Sequence, residues 1–240
     1  MKFTHRDIQL LELDSKEFLV ISCDSCGGVG LKENDIVKAS PYIVGKFTAR
    51  VCLSEILSLK AKPMTMSISI CSEPEPTGEE IIKGIKDELK EIDLDIPLII
   101  STEKNIKTSM TALGISVFGR VKKESILLDK VKKGDFVYIL GEPCVGDEVL
   151  KNVKKICTTK DIFKVVNDKN VCEVIPVGSS GIKGEMNKFM EETGLEFYYE
   201  DDIKIDINKS AGPCTAAIVI GKLDFSVYGY DKIRKIGYIK

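Results

Sequence analysis

With 240 residues, 43% of them apolar and 30% charged, the chain has the composition and length of an ordinary globular protein of one large domain or two modest ones. Lys+Arg 35 nearly cancels Asp+Glu 37 without a basic stripe, so nucleic acid is not an expected partner. No run reaches the ~20 apolar residues of a spanning helix, and Met1-Lys2-Phe3-Thr4-His5-Arg6-Asp7 turns polar at once, so neither a membrane span nor secretion is expected and the location should be cytoplasmic.

In chain order, Glu17-Phe18-Leu19-Val20-Ile21-Ser22 reads as a buried strand feeding a flexible loop, Asp24-Ser25-Cys26-Gly27-Gly28-Val29-Gly30. Residues 47–60 have helical apolar spacing, with a break at Pro63. Met64, Met66, Ile68 and Ile70 alternate with Thr65, Ser67 and Ser69 as in a strand with one buried face. Thr77-Gly78-Glu79-Glu80 reads as a capping box opening a helix with Ile81, Ile85, Leu89 and Ile92 on one side. Strands are expected at residues 96–100 and 115–121, flanking the polar segment Ser101-Thr102-Glu103-Lys104-Asn105, and at 135–140, where surrounding glycines suggest a domain join. The pattern restarts with a strand at 171–177. Gly178-Ser179-Ser180-Gly181 then leads into a helix with Ile182, Met186, Phe189 and Met190 on one face, ended by Gly194. Alternation at Ile203, Ile205 and Ile207 and the apolar run 215–220 predict closing strands. The fold class is α/β (α+β), in two unequal domains, 1–140 and a smaller 141–240.

Eight scattered cysteines read as reduced thiols, mostly small buried apolar groups. Cys23 and Cys26 form a CxxC, but a zinc site would want a second pair or histidines, and the one histidine is His5. Asp24 inside the pair should raise the thiol pKa, which argues against redox chemistry.

Three carboxylates stand where a site could form: Asp24 after the first strand, Glu55 in the first helix, and Glu103 after the fourth strand. Glu55 lies among Val51, Leu53, Ile56 and Leu57, so facing inward it would need a cation or a donor. Magnesium fits that need, because it takes hard oxygen ligands and bridges carboxylates to nucleotide phosphates. Gly27, Gly28 and Gly30 would let backbone amides approach phosphate, with Lys32 adding a mobile charge. The segment is neither a P-loop nor a GxGxxG fingerprint. On these residues alone two readings stay open: a nucleotide loop with metal ligands, or a plain turn and solvated glutamates.

Taken together, these segments resemble the aminoimidazole ribonucleotide synthetase-like (PurM-like) superfamily. Residues 24–32 are similar to its Asp-Gly-Val-Gly-Thr-Lys segment with two residues inserted after the aspartate. Gly45 and the Glu55 helix before Lys60-Ala61-Lys62-Pro63 are similar to its helix before a Gly-Ala-x-Pro turn. Ser101-Thr102-Glu103 stands where it has Gly-Gly-Glu-Thr or Gly-Gly-Asp-Thr, both glycines being replaced, and Lys133-Gly134-Asp135 with Gly141 resembles its Pro-Gly-Asp segment. Within the superfamily, Asp24-Ser25-Cys26-Gly27-Gly28-Val29-Gly30, Glu73-Pro74-Glu75-Pro76-Thr77-Gly78, Ser101 to Asn105 and Lys209-Ser210-Ala211-Gly212-Pro213 most resemble α-ribazole kinases of cobalamin salvage. Thiamine-phosphate kinases fit less well, since they would show paired aspartates near the start and Asp-x-Ser-Asp-Gly in the second domain, where this chain has Pro176-Val177-Gly178-Ser179-Ser180-Gly181.

The resemblance implies an ATP- and magnesium-dependent enzyme. Its N-terminal domain would bind ATP and pair with its twin in a barrel-forming homodimer. Asp24, Glu55 and Glu103 would be the metal ligands, and Asp24, Lys32 and Glu103 the catalytic groups. Gly27, Gly28, Gly30, Lys32, Ser101, Thr102 and Asn105 would line the nucleotide. The reaction implied is phosphoryl transfer to the ribose 5′-hydroxyl of a nucleoside-like small molecule. The alternatives are a thiamine-phosphate-kinase-like or cyclising-synthetase-like enzyme, or a dimeric nucleotide-binding scaffold without catalysis. Glu73 and Glu75 read either as lining the same cleft or as an acidic start to a helix. Lys209-Ser210 reads as a substrate contact or a turn.

Overall fold

The computed structural model describes residues 2–222 and 230–240. The chain divides into two compact units of nearly equal length: residues 1–57 with 61–125, and residues 58–60 with 126–240.

In the first unit a sheet of six described strands runs in the order β1 (Lys2–His5), β2 (Ile8–Glu12), β3 (Glu17–Gly27), β8 (Ala112–Lys122), β6 (Lys62–Ile70), β7 (Leu98–Thr102). All neighbours are antiparallel except β6 and β7. The short strands β4 (Val29–Gly30) and β5 (Val37–Lys38) form a separate parallel pair. One sheet face carries the buried residues Val20, Ser22, Met66, Ile68, Ile70, Leu113, Ile115 and Val117. Helix α1 (Pro41–Ser58) lies over it, with the Ser22 hydroxyl donating to the Cys52 carbonyl at 2.9 Å and the Cys52 thiol to the Ile115 carbonyl at 3.4 Å. Proline at the first helical position suits a helix start, so α1 begins six residues earlier than its apolar spacing alone indicates. Helix α2 (Glu79–Lys90) crosses α1 so closely that a Cβ on Gly84 would stand 2.0 Å from the Tyr42 carbonyl oxygen. Glu88, fully buried there, accepts from Arg50 at 2.8 and 3.1 Å and pairs with Lys46 at 3.1 Å.

Three local expectations change. Residues 24–27 belong to β3, because they pair with residues 112–115 of β8, so the loop begins at Gly28. Thr77 caps no helix. Its hydroxyl donates to the Glu73 carboxylate, and Pro74–Gly78 forms a π-turn that runs directly into α2. Met64 is exposed, because a register shift between Pro63 and Thr65 interrupts the alternation.

The opposite face presents Cys23, Ser25, Ser69, Ser101 and Ile99, all exposed, the last 69% so. Within one chain the sheet is open, with β1 and β7 at its edges.

The second unit is built on an antiparallel sheet in the order β10 (Val171–Pro176), β12 (Ala216–Gly221), β9 (Phe136–Gly141), β13 (Ile233–Ile239), β11 (Phe197–Tyr199). The strand expected to end a first domain at residue 140 is thus the centre of this sheet. Helix α5 (Gly181–Thr193) packs Ile182, Met186 and Phe189 against Val137, Ile139, Ile218 and Ile220, and ends at Gly194, φ +69°. Two further helices, α3 (Asp147–Lys151) and α4 (Thr159–Val166), complete the unit, and α4 carries a reciprocal capping box between Thr158 and Asp161. Ile203, Ile205 and Ile207 pack on the core as a loop rather than a strand, since none of the described strands offers its backbone to them.

Among the described residues, no helix is long and apolar enough to cross a membrane.

Candidate functional site

The C-terminal ends of β3, β6 and β7 and the start of β8 meet at one end of the first sheet, as the pairs Gly27 with Ala112, Ile70 with Leu113 and Ile70 with Thr102 require. Three loops therefore converge there: residues 28–38, 71–78 and 103–111. They are knitted by backbone bonds from Gly28 N–H to the Thr111 carbonyl at 2.9 Å, Asn34 N–H to Ser109 at 2.9 Å, and Cys71 N–H to Ala112 at 2.9 Å.

Asp35 is the latch of the first loop. Its buried carboxylate accepts from the Lys32 N–H at 2.8 Å, the Thr111 N–H at 2.8 Å and the Thr111 hydroxyl at 2.7 Å. Burial alone would raise its pKa, but these donors outweigh it and hold the carboxyl below its ordinary value. Gly30 lies under this latch, where any Cβ would stand 2.2 Å from Thr111 Oγ1. Gly28, φ +72°, opens the loop in the left-handed region.

Lys32 leaves this loop to meet the second. Its ammonium donates to Glu73 Oε2 at 2.5 Å and to the Thr108 carbonyl at 3.1 Å. Glu73 also accepts from the Thr77 hydroxyl. Burial would push the Glu73 carboxyl up, yet the Lys32 and Thr77 bonds prevail and hold it at about 2.

Glu103 joins the third loop to the second through its backbone, whose N–H reaches the Ile70 carbonyl at 3.1 Å and the Ser72 carbonyl at 3.0 Å. Its Oε1 accepts from Asn105 N–H at 2.7 Å and Ile106 N–H at 3.0 Å, and these amides hold its carboxyl below the usual range. Asn105 thus contributes a backbone amide, its side chain being exposed. Thr102 packs beside Gly78, while Ser101 lies on the exposed sheet face.

Asp24 sits three residues before the end of β3, ~10 Å along the strand from Gly27. It faces α1, paired in register with Ile115. Burial raises its carboxyl, the Ser25 N–H partly offsets that, and the charge of nearby Asp7 raises it again. Glu55 is half-buried on α1, its charge felt at Cys52, as is that of Asp24. Cys23 and Cys26 point to opposite sheet faces. Burial first, and then the Asp24 charge, push the Cys26 thiol up.

The structure therefore brings Gly28, Gly30, Lys32 and the Glu103 loop together. Among the described residues it does not gather three His, Cys, Asp or Glu side chains into a metal-holding set. Asp24 and Glu103 each offer carboxylate oxygens to which no basic side chain is paired among the described residues, donors of the kind magnesium takes when phosphates complete its shell. Sequence reasoning passed over Asp35, Thr108 and Thr111 and gave Glu73 no settled role. Only Asp35 had a local signal, an aspartate three residues after Lys32 and able to turn back on its amide. In the second unit, Lys209 pairs with Glu148 at 2.6 Å, and the Ala211 N–H holds the Gly178 carbonyl at 3.1 Å, which makes the 207–213 segment a buttressed turn.

Residues 5–121 match the family model described as AIR synthase related protein, N-terminal domain. Among solved structures, the thiamine-monophosphate kinase of Stenotrophomonas maltophilia K279a is similar at TM-score 0.67 and 14% identity, over 99% of this chain and 88% of that one. The thiamine monophosphate kinase of Aquifex aeolicus gives 0.67 and 14%, over 98% and 88%. PurL of T. maritima, complexed with ATP, gives 0.60 and 12%, over 98% of this chain but 37% of its own, so this chain spans well under half the length of PurL. At these identities the likeness is one of fold. None of the curated proteins compared matches the chain.

Proposed function

We propose that the chain is an ATP-dependent phosphotransferase of the PurM-like type, acting on the ribose 5′-hydroxyl of a nucleoside-like small molecule, with α-ribazole the first acceptor to test. The observation that carries this is Lys32. It stands 14% exposed at the end of a latched glycine loop, within the segment that matches the AIR synthase related model. Solved neighbours complexed with ATP or with AMPPCP support a nucleotide as the ligand of this fold.

In this reading Lys32 and the amides of the 28–32 segment bind phosphate oxygens. The 103–108 loop, held by the Glu103 turn, borders the same ligand, with Ser101 and Thr102 at its base. Phosphoryl transfer depends mainly on positioning and on neutralising charge, which latched loops supply without reorganisation. Magnesium, when bound, would supply charge neutralisation at the phosphates; Asp24, with the half-buried Glu55, and Glu103 would hold separate ions, because β8 and β6 lie between β3 and β7. Either carboxylate could accept the hydroxyl proton. The exposed sheet face with Cys23, Ser25, Ser69 and Ile99 supports a homodimer in which two open sheets complete a barrel.

The test is ADP release with magnesium and a panel of α-ribazole, thiamine phosphate and other nucleosides, with sedimentation to give the mass in solution. ADP formation with α-ribazole and a 5′-phosphorylated product is expected. No ADP with any acceptor would remove the kinase reading. The likeness to PurL favours a second reading, ATP activation of an amide or carboxylate oxygen, which product analysis separates from the first.

A further inference from the structure

An ammonium has three N–H donors and no acceptor. In Lys32 one goes to Glu73 Oε2 and one to the Thr108 carbonyl, and among the described residues no third acceptor takes the last. Two fixed bonds on a tetrahedral nitrogen also fix the direction of the third.

Glu73 is itself held firmly. The Thr77 hydroxyl donates to Oε1, and its own carbonyl accepts the Gly78 N–H at 3.1 Å, which anchors the residue at the start of the π-turn. Glu73 is 41 residues from Lys32 in sequence and reaches the glycine loop through that ammonium. We propose that Glu73 is a positioning residue for the phosphate ligand: it aims the remaining Lys32 donor into the loop and holds the side chain ordered before the ligand arrives. This rests on the reading that the loop takes a nucleotide.

The sign of the effect needs argument, because a carboxylate near a phosphate also repels it. Both Glu73 oxygens are engaged within the turn, one by the ammonium and one by a hydroxyl, so its charge is largely compensated where it stands. An unanchored lysine, by contrast, must give up rotamer freedom on binding, a loss of about tenfold in affinity. The proposal is that this anchoring outweighs both the residual repulsion and the share of the Lys32 charge that Glu73 takes up.

The experiment measures ATP affinity with magnesium by calorimetry for the wild-type chain, Glu73→Gln, Lys32→Met and the double variant, each with a thermal unfolding curve. The expected result is about tenfold weaker binding for Glu73→Gln, at least as large a loss for Lys32→Met, and a double variant no weaker than Lys32→Met alone. Unchanged or tighter binding by Glu73→Gln overturns the proposal. So does an equal loss in both lysine backgrounds, which would make Glu73 merely structural. Should Glu73→Gln fail to fold, Thr77→Val, which frees one carboxylate oxygen, must weaken ATP about threefold and only when Lys32 is present. If the wild-type chain binds no ATP, the nucleotide reading falls and this proposal with it. If it binds ATP normally and the Glu73 variant matches it, only the positioning role is lost.

Discussion

Alanine at Gly30 would place a methyl group 2.2 Å from Thr111 Oγ1, 2.4 Å from Asp35 Oδ2 and 2.7 Å from Thr111 Cβ. None of these neighbours is the loose end of a flexible chain. Asp35 is tied by three hydrogen bonds and Thr111 is buried immediately before β8. Relief requires either parting Asp35 from Thr111, at about 1.5–3 kcal/mol for a bond to a charged group, or shifting backbone, at about 1–3 kcal/mol for overpacking. Gly30→Ala should therefore cost about 1–3 kcal/mol. Gly28→Ala meets Met110 Sδ at 3.6 Å and Ile36 Cδ1 at 4.0 Å, both ordinary contacts, but must hold φ +72°, about 1–2 kcal/mol. Gly27→Ala meets nothing within 4 Å and should fall within about 0.5 kcal/mol of the parent. Urea denaturation of the full chain, followed by circular dichroism, reads the order Gly27, Gly28, Gly30 directly. A Gly30 variant as stable as the Gly27 variant would show that the latch does not exist as described, and with it would go the argument for a preformed loop.

Glu88→Ala should cost about 3–5 kcal/mol, since it strips Arg50 and Lys46 of a fully buried carboxylate, and a midpoint shift in the same denaturation assay measures it. Asp24→Asn should leave stability at pH 7 unchanged or raised while lowering magnesium-dependent turnover, which paired unfolding and ADP-release assays would check. The sign follows from its raised carboxyl: that group favours the folded state below its ordinary value of 3.8, and the benefit is lost as pH rises through the elevated folded value. Glu73 has the opposite sense, with its folded value at about 2 against an ordinary 4.5. Its contribution is present above 4.5 and lost as pH falls through 2, so the stability gap between wild type and Glu73→Gln should shrink across that window in acid denaturation.

Where a pattern depends on near neighbours, it was legible in the sequence. Met66, Ile68 and Ile70 alternate into the core, and Ile81, Ile85 and Leu89 share the buried side of α2, because strand and helix periods are local properties. The same alternation at Ile203, Ile205 and Ile207 makes no strand, since a strand also needs a partner that sequence spacing does not supply. Asp24 to Gly27 looked like a loop because Asp, Ser and Gly are turn formers. Pairing with residues 112–115, some ninety positions away, overrides that preference. Thr77 looked like a cap, yet it lies inside the Pro74–Gly78 turn that runs straight into α2, so no free helix start is left for its oxygen to cap, and its hydroxyl donates to Glu73 four residues back.

The carboxylates show why the site was only half legible. Asp24 and Glu103 look alike in sequence, each an acid after an apolar run, but they differ in what surrounds them. Asp24 lies on the helix-covered sheet face, where burial raises it, and Glu103 in an open turn, where two amides lower it. An acid already satisfied by turn amides keeps its charge whether or not a cation arrives. An acid strained by burial gains from one. Asp24, more than Glu103 or the half-buried Glu55, is thus the position where adding magnesium and nucleotide should change stability, and Asp24→Asn is the substitution that should abolish that change. The measurement is the ligand-induced shift in unfolding temperature, and an equal shift in both proteins would take Asp24 out of the site.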